Sequence, residues 1–382
     1  MKKYILFLLF TIFSLVQPLS AFAVENPLQK QNNIFGVHIL FPVELESAAK
    51  LVNSSGGDWG YVLIPIQSGD KDITKWQDFM NRAKHLHLIP ILRLATEGDY
   101  FNTSVWRKPT FTDILDFANF LDSLYWPTKN RYVIVYNEPN RGDEWGGKAN
   151  PEEYAHILSY AVTAFKTKNP DFFIISSGFD NAAATSTTSF DQYEYITKMN
   201  QVVPGIFNQI DGLGSHSYPN PAFAQPPGTL TAQSISSFKF ESDLIAKFTS
   251  KQLPVFITET GWSRGAVPEN NIVTYFPLAF ANVWNDSRIV TVIPFLLQAG
   301  GGPFEVFSLL KSDGSDTPVS SAIKHIVKVK GVPSVNPDVL AAESLLNQIA
   351  SPLKKFTDLP DITNDHRFLT SIKTLAKYLL HM

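Results

Sequence analysis

Eight short, almost wholly apolar runs, separated by stretches whose apolar residues recur at three and four, are the strongest constraint on how this chain can fold. The runs are IFGVHIL (34–40), WGYVLIPI (59–66), LIPILRLA (88–95), YVIVYNEP (132–139), FFIISSGF (172–179), IDGLGSHSY (210–218), PVFITETGW (254–262) and IVTVIPFLL (289–297). Runs apolar on both faces suit parallel strands covered by helices. Stretches such as FTDILDFANFLDSLYW (111–126) and PEEYAHILSYAVTAFKTK (151–168) supply those helices. Alternating strand and helix make βα units, and eight of them close into an α/β fold, the (β/α)8 TIM barrel. The rival, an open doubly wound sheet, carries a glycine-rich phosphate loop after its first strand. Here the first run leads into FPVELESAAK, which has no such glycines.

The flanks differ from this core. Lys2 and Lys3, an apolar stretch from Tyr4 to Val16, and Ala21-Phe22-Ala23 form the pattern of a secretory signal over 1–23, cleaved after Ala23. The apolar run is shorter than the ~20 residues a spanning helix needs, and no other stretch is long enough, so the mature chain is expected to have no membrane span. The barrel is expected over 24–330. From Gly331 the prolines of GVPSVNPDVL introduce a helical extension over 331–382, in which Phe368, Leu369, Ile372, Leu375 and Leu379 share one face. The expected location is therefore outside the cytoplasm: secreted, periplasmic or on the cell surface.

Charge and cysteine content exclude several functions. Thirty-two basic side chains stand against 35 acidic ones with no basic run, which argues against nucleic acid as a partner. The absence of cysteine removes disulfides, thiol nucleophiles and thiolate metal sites. His85 and His87 alternate in a strand entry without a third ligand nearby in sequence, and GLGSHS lacks a nucleophile elbow, because Ser215 has no glycine two residues on. No metal and no cofactor is expected.

Active sites of βα barrels lie at the C-terminal ends of the strands. Glu138 stands there on the fourth run and Glu259 on the seventh, so two carboxyls distant in sequence face one pocket. Glycosidic bond cleavage needs that pair: one group protonates the leaving oxygen while the other attacks the anomeric carbon or activates water.

NEP on the fourth strand, HSY on the sixth and ITETGW on the seventh together resemble the clan A glycoside hydrolases, retaining (β/α)8 enzymes, and most nearly their families 39 and 5. The resemblance spans about 32–330, and FSLLKSDGSDTPVSSAIK (307–324) resembles the close of that barrel. It implies that Glu138 is the general acid/base, that Glu259 is the nucleophile and that Asn137 bonds the sugar 2-hydroxyl. It also implies that His216 and Tyr218 line the pocket, with one or both near Glu259. Arg93 is expected to steady the nucleophile, and His38 to reach a substrate hydroxyl. Trp262 and Trp145 are expected as sugar platforms, with Trp59 and Trp106 as further candidates. The eighth strand departs from the clan, since Phe295, Gln298 and Phe304 stand where a tryptophan is usual.

The resulting expectation is a secreted enzyme that cleaves β-linked oligo- or polysaccharide with retention. The alternatives are a catalytically silent glycan-binding barrel and a transglycosylase. The sequence names neither the sugar nor an oligomeric state.

Overall fold

The computed structural model describes residues 24–97 and 104–337. The leader over 1–23 and the helical face between Phe368 and Leu379 lie outside the described residues. The strands are β1 (Gly36–His38), β2 (Gly60–Gln67), β3 (Leu88–Ala95), β4 (Arg131–Ile134), β5 (Phe172–Ile175), β6 (Leu213–His216), β7 (Val255–Thr260) and β8 (Ile289–Pro294). Between and after them run α1 (Leu45–Val52), α2 (Ile73–His85), α3 (Phe111–Asp122), α4 (Pro151–Lys168), α5 (Gln192–Val202), α6 (Ser237–Ile245), α7 (Glu269–Asn282) and α8 (Pro318–His325).

All strand pairs are parallel, in the orders β1-β2-β3-β4-β5 and β6-β7-β8. Two parallel bridges join these halves into a ring: Ile175 to Gly212 between β5 and β6, and Phe35 to Val292 beside β1 and β8. The expected TIM barrel is thus the observed fold.

Every residue of β2 except Gln67 is buried, as the two-sided apolar run requires. Its alternate residues divide between two cores. Tyr61 and Leu63 point inward with Ile91, Tyr132, Phe173 and Phe256, whereas Val62, Ile64 and Ile66 face the helix layer. Tyr132, Phe173 and Phe256 fill the barrel axis with centroids 4.9–5.6 Å apart. Rings this large leave no pore, which confines any cavity to an end of the barrel. The helices start where the chain offers caps: Asn150 accepts from the amides of Glu152 and Glu153, and Pro151 follows it at the first turn of α4.

Strand ends differ from the apolar runs in an informative way. β4 stops at Ile134, short of Asn137 and Glu138, because Tyr136 (φ 67°) and Glu138 (φ 32°) take left-handed backbone. Side chains with a Cβ rarely adopt that region, and such strain gathers at functional sites. The segment past α8 is pinned to the barrel's base: Gly331 N donates to Asp58 O at 2.8 Å, and Lys129 N to Ser334 O at 2.8 Å.

Candidate active site

At the C-terminal ends of the strands lies a cavity of about 320 Å³. Glu138 and Glu259 line it from the β4 loop and from β7, each nearly buried. One oxygen of each lies within 4.8 Å of the other. Arg93, near the end of β3, donates from one guanidinium nitrogen to Glu259 Oε1 and, at 2.7 Å, to Asn137 Oδ1. Tyr218 donates its hydroxyl to Glu259 Oε2 at 3.0 Å. Burial pushes the Glu259 carboxyl up, but the charges of His216 and Arg93 outweigh it and hold the group well below the ordinary carboxylate range.

Glu138 is held differently. His216 Nδ1 meets its Oε1 at 2.7 Å, and Arg141 donates to its Oε2 at 3.2 Å. Arg141 is itself gripped by Asp143, at 3.0 and 2.5 Å. Burial lowers the His216 imidazole, yet the carboxylates of Glu259 and Glu138 raise it above its ordinary value. Gly178 makes the arrangement sterically feasible, because a Cβ there would stand 2.1 Å from His216 Cδ2. The Gly178 carbonyl also accepts from Glu138 N at 3.2 Å.

His38 is fully buried in the cavity wall, stacked on Phe295 at 5.1 Å, with both ring nitrogens unpartnered. Burial and the Arg93 charge push its pKa down to about 3, so the ring is neutral and keeps a donor and an acceptor in hand. Asn137, with its oxygen taken by Arg93, keeps its amide N–H groups.

The tryptophans distribute unevenly. Trp262 is not a platform: its ring packs with Tyr275, Phe276 and Trp284 in the helix layer, and its N–H donates to Gln225 O at 2.8 Å. Gly261, at φ 149°, turns the chain between Glu259 and Trp262 and sends the indole outward. Trp145 backs the cavity, but its ring is buried against Tyr136 and Tyr154 and its N–H donates to Glu153 at 3.0 Å, leaving no free face. Trp59 lies at the opposite end, stacked on His87. Trp106 does line the cavity, half-buried. Gln298 turns away and donates to Lys311 O at 2.9 Å. The apolar wall consists instead of Phe223, Phe295, Phe304 and Phe307, whose neighbouring rings stand nearly edge-on at 5.1–5.9 Å.

Sequence reasoning missed Arg141, Asp180, Glu144, Phe223 and Phe307. Arg141 and Glu144 follow NEP in the polar loop NRGDEWGG, and that density of charge beside an acid was the available signal. Phe223 comes from a loop with no pattern of its own, and Phe307 ends the short 3-10 helix Pro303–Phe307.

Glu138, His216 and Glu259 are close enough to converge on a cation. Their oxygens are already committed: Arg93 and Tyr218 take those of Glu259, while His216 and Arg141 take those of Glu138. Two guanidinium charges at the same place oppose a metal, so the residues present fit one poorly.

No protein-family model and no curated protein sequence matches the chain. Solved structures do. A family 39 glycoside hydrolase from the gut symbiont Bacteroides cellulosilyticus WH2 superposes with a TM-score of 0.54 at 17% identity, over 78% of this chain and 64% of that one. This chain therefore spans less than two thirds of that protein's length. A GH39 β-xylosidase from Caulobacter crescentus gives 0.54 at 15% identity, over 78% and 72%. A GH5_18 protein from Bifidobacterium longum subsp. infantis gives 0.55 at 11%, over 78% and 79%. What these likenesses establish is the architecture: the chain has the (β/α)8 barrel fold that these glycoside hydrolases share.

Proposed function

We propose that the protein is a glycoside hydrolase that cleaves β-linked glycan by a retaining double displacement, with Glu259 as nucleophile and Glu138 as acid/base. The observation that carries the reading is the pair of buried carboxyls with oxygens within 4.8 Å. That upper bound is short of the about 6.5–9.5 Å that admits a water between the groups, and it suits the closer approach of retaining pairs, about 5–5.5 Å.

Glu259, kept ionised and aimed by Arg93 and Tyr218, attacks the anomeric carbon as the bond to the leaving oxygen breaks. The proton that oxygen needs resides in the His216–Glu138 pair, 2.7 Å apart, and Glu138 presents it. The N–H groups of Asn137, in the cavity lining, bond the sugar hydroxyls, whereas the expected reach of His38 to a hydroxyl is blocked because both of its ring nitrogens are buried. In the second step water gives its proton to Glu138 and attacks the anomeric carbon, and the bond to Glu259 breaks. The phenylalanine wall takes the C–H face of the sugar that a tryptophan takes in the clan.

The mature protein, incubated with a panel of 2-deoxy-2-fluoro aryl glycosides, is expected to gain the mass of one sugar on the peptide holding Glu259. Labelling elsewhere, or glycan binding with no adduct from any glycoside, sinks the reading and leaves a binding barrel. The protein is further proposed to be exported with cleavage after Ala23, which N-terminal sequencing of the exported chain checks.

A further inference from the structure

We propose that Trp106 and Glu144 form the subsite that receives the leaving-group sugar, and that this sugar is neutral or amine-bearing and not a uronic acid. The inference rests on the glycosidase reading above.

A general acid protonates the departing oxygen, so the departing sugar lies on the acid's side of the cavity, away from the nucleophile. That side is walled by the loops after β3 and β4, which contribute Trp106 and Glu144 to the lining. The two loops are tied by backbone. Trp106 N donates to Asp143 O at 2.7 Å and Gly146 N to Trp106 O at 2.8 Å, so Glu144 is bracketed from both sides. An indole and a carboxyl that line the same side of a cavity suit a sugar: the ring takes the C–H face, and the carboxyl takes donors on the rim.

Charge narrows the class. The guanidinium groups around the cavity are engaged elsewhere: Arg93 on Glu259, Arg107 on Glu97 and Asp113, Arg141 on Asp143 and Glu138. Glu144 makes no hydrogen bond or ion pair with any described residue. Burial and the neighbouring Glu138 charge push its pKa up to about 7. A carboxyl left in that state gains from a hydroxyl or an ammonium and repels another carboxylate.

The test separates the subsite from the chemistry. Wild type, Glu144→Gln and Trp106→Ala are labelled with the fluoro aryl glycoside that traps the wild type. The aryl group occupies this subsite as it leaves, so labelling is run to completion in each protein and only the reactivation of the trapped form is compared. Reactivation of the trapped form is then followed with the methyl β-glycosides of glucose, glucosamine and glucuronic acid and their galacto counterparts as acceptors. Neutral and amine-bearing acceptors should speed wild-type reactivation, the uronides should not, and both variants should lose about tenfold or more of the acceleration. A preference for the amine identifies an ammonium as the group read by Glu144, and equal response identifies a hydroxyl. Uronides that accelerate equally, or undiminished acceleration in Glu144→Gln, overturn the proposal. If nothing labels the wild type, the glycosidase reading has failed. Tryptophan-fluorescence binding of the same methyl glycosides then decides the subsite alone, and equal affinity in wild type and Glu144→Gln rejects it.

Discussion

The two ends of this barrel are built on opposite terms. At the base, polar groups are matched: Tyr61 donates to Asn32 at 2.7 Å, Asn130 to Tyr132 at 3.0 Å, and His87 meets Asp58 at 2.9 Å beneath the stacked Trp59. Lys328 spends its ammonium on Ser54 Oγ and on the carbonyls of Ile323 and Ile326, at 2.8–3.0 Å. At the mouth, by contrast, two carboxylates, two guanidinium groups and an imidazole crowd together, and His38 lacks partners. The difference teaches where stability and function reside in one scaffold: the base is optimised for cohesion, and the mouth keeps unfavourable groups that chemistry can use.

The largest expected effect tests the mouth. Glu259→Gln should lower turnover about a thousandfold or more, because the amide cannot attack the anomeric carbon although its oxygen still accepts from Arg93. Steady-state rates on an activated aryl glycoside check it, beside a melt that shows the variant folded. Turnover within a few-fold of wild type would erase the contrast between the two ends.

Next comes the proton holder. His216→Asn should reduce kcat/KM about a hundredfold on substrates with poor leaving groups and less on aryl glycosides, because only the former need the proton. Gly178→Ala should act through the same residue, since its methyl group occupies the space of the imidazole edge. The sign of the wild-type pH dependence follows from His216 being raised. The pair keeps its proton below and through the ordinary histidine range of about 6.5, and both the rate and the stabilisation from the imidazolium are lost as pH rises through the higher folded value. A rate that instead grows steadily with alkalinity contradicts the pair's role.

The base provides the converse. Tyr132→Phe removes the hydroxyl that accepts from buried Asn130 and leaves the ring in the axial stack. The expected loss is about 1 kcal/mol of stability with kcat unchanged, read by denaturant melts beside rates. An effect on rate would mean that the aromatic column couples base to mouth.

Legibility in the sequence divides along the same line. The eight runs read as strands because both of their faces are buried, and a two-sided apolar segment leaves few alternatives. Glu138, Asn137, His216, Tyr218, Glu259, Arg93 and His38 could be placed at one end because each sits on or just after a strand, where direction follows from topology. Trp262 could not: one glycine turn past β7 reversed its direction, and neither periodicity nor composition records a φ angle. Phe223 and Phe307 were silent for a related reason, since a loop and a short 3-10 helix bring them in through tertiary packing alone.

The smallest expected effect is none at all, and it tests the reading of the mouth as an ion-pair network. Glu138, His216 and Glu259 stand as close as the ligands of a divalent site. If a cation held them, prolonged dialysis against a chelator would lower both activity and melting temperature, and added zinc would restore them. With Arg93 and Arg141 already supplying the positive charge, chelation should leave rate and melt unchanged, and excess zinc should inhibit only by competing for His216 and displacing the guanidinium groups. Loss of activity on chelation, recovered by metal, would replace the proton-sharing pair with a metal-bound water and overturn the division of roles between the two carboxyls.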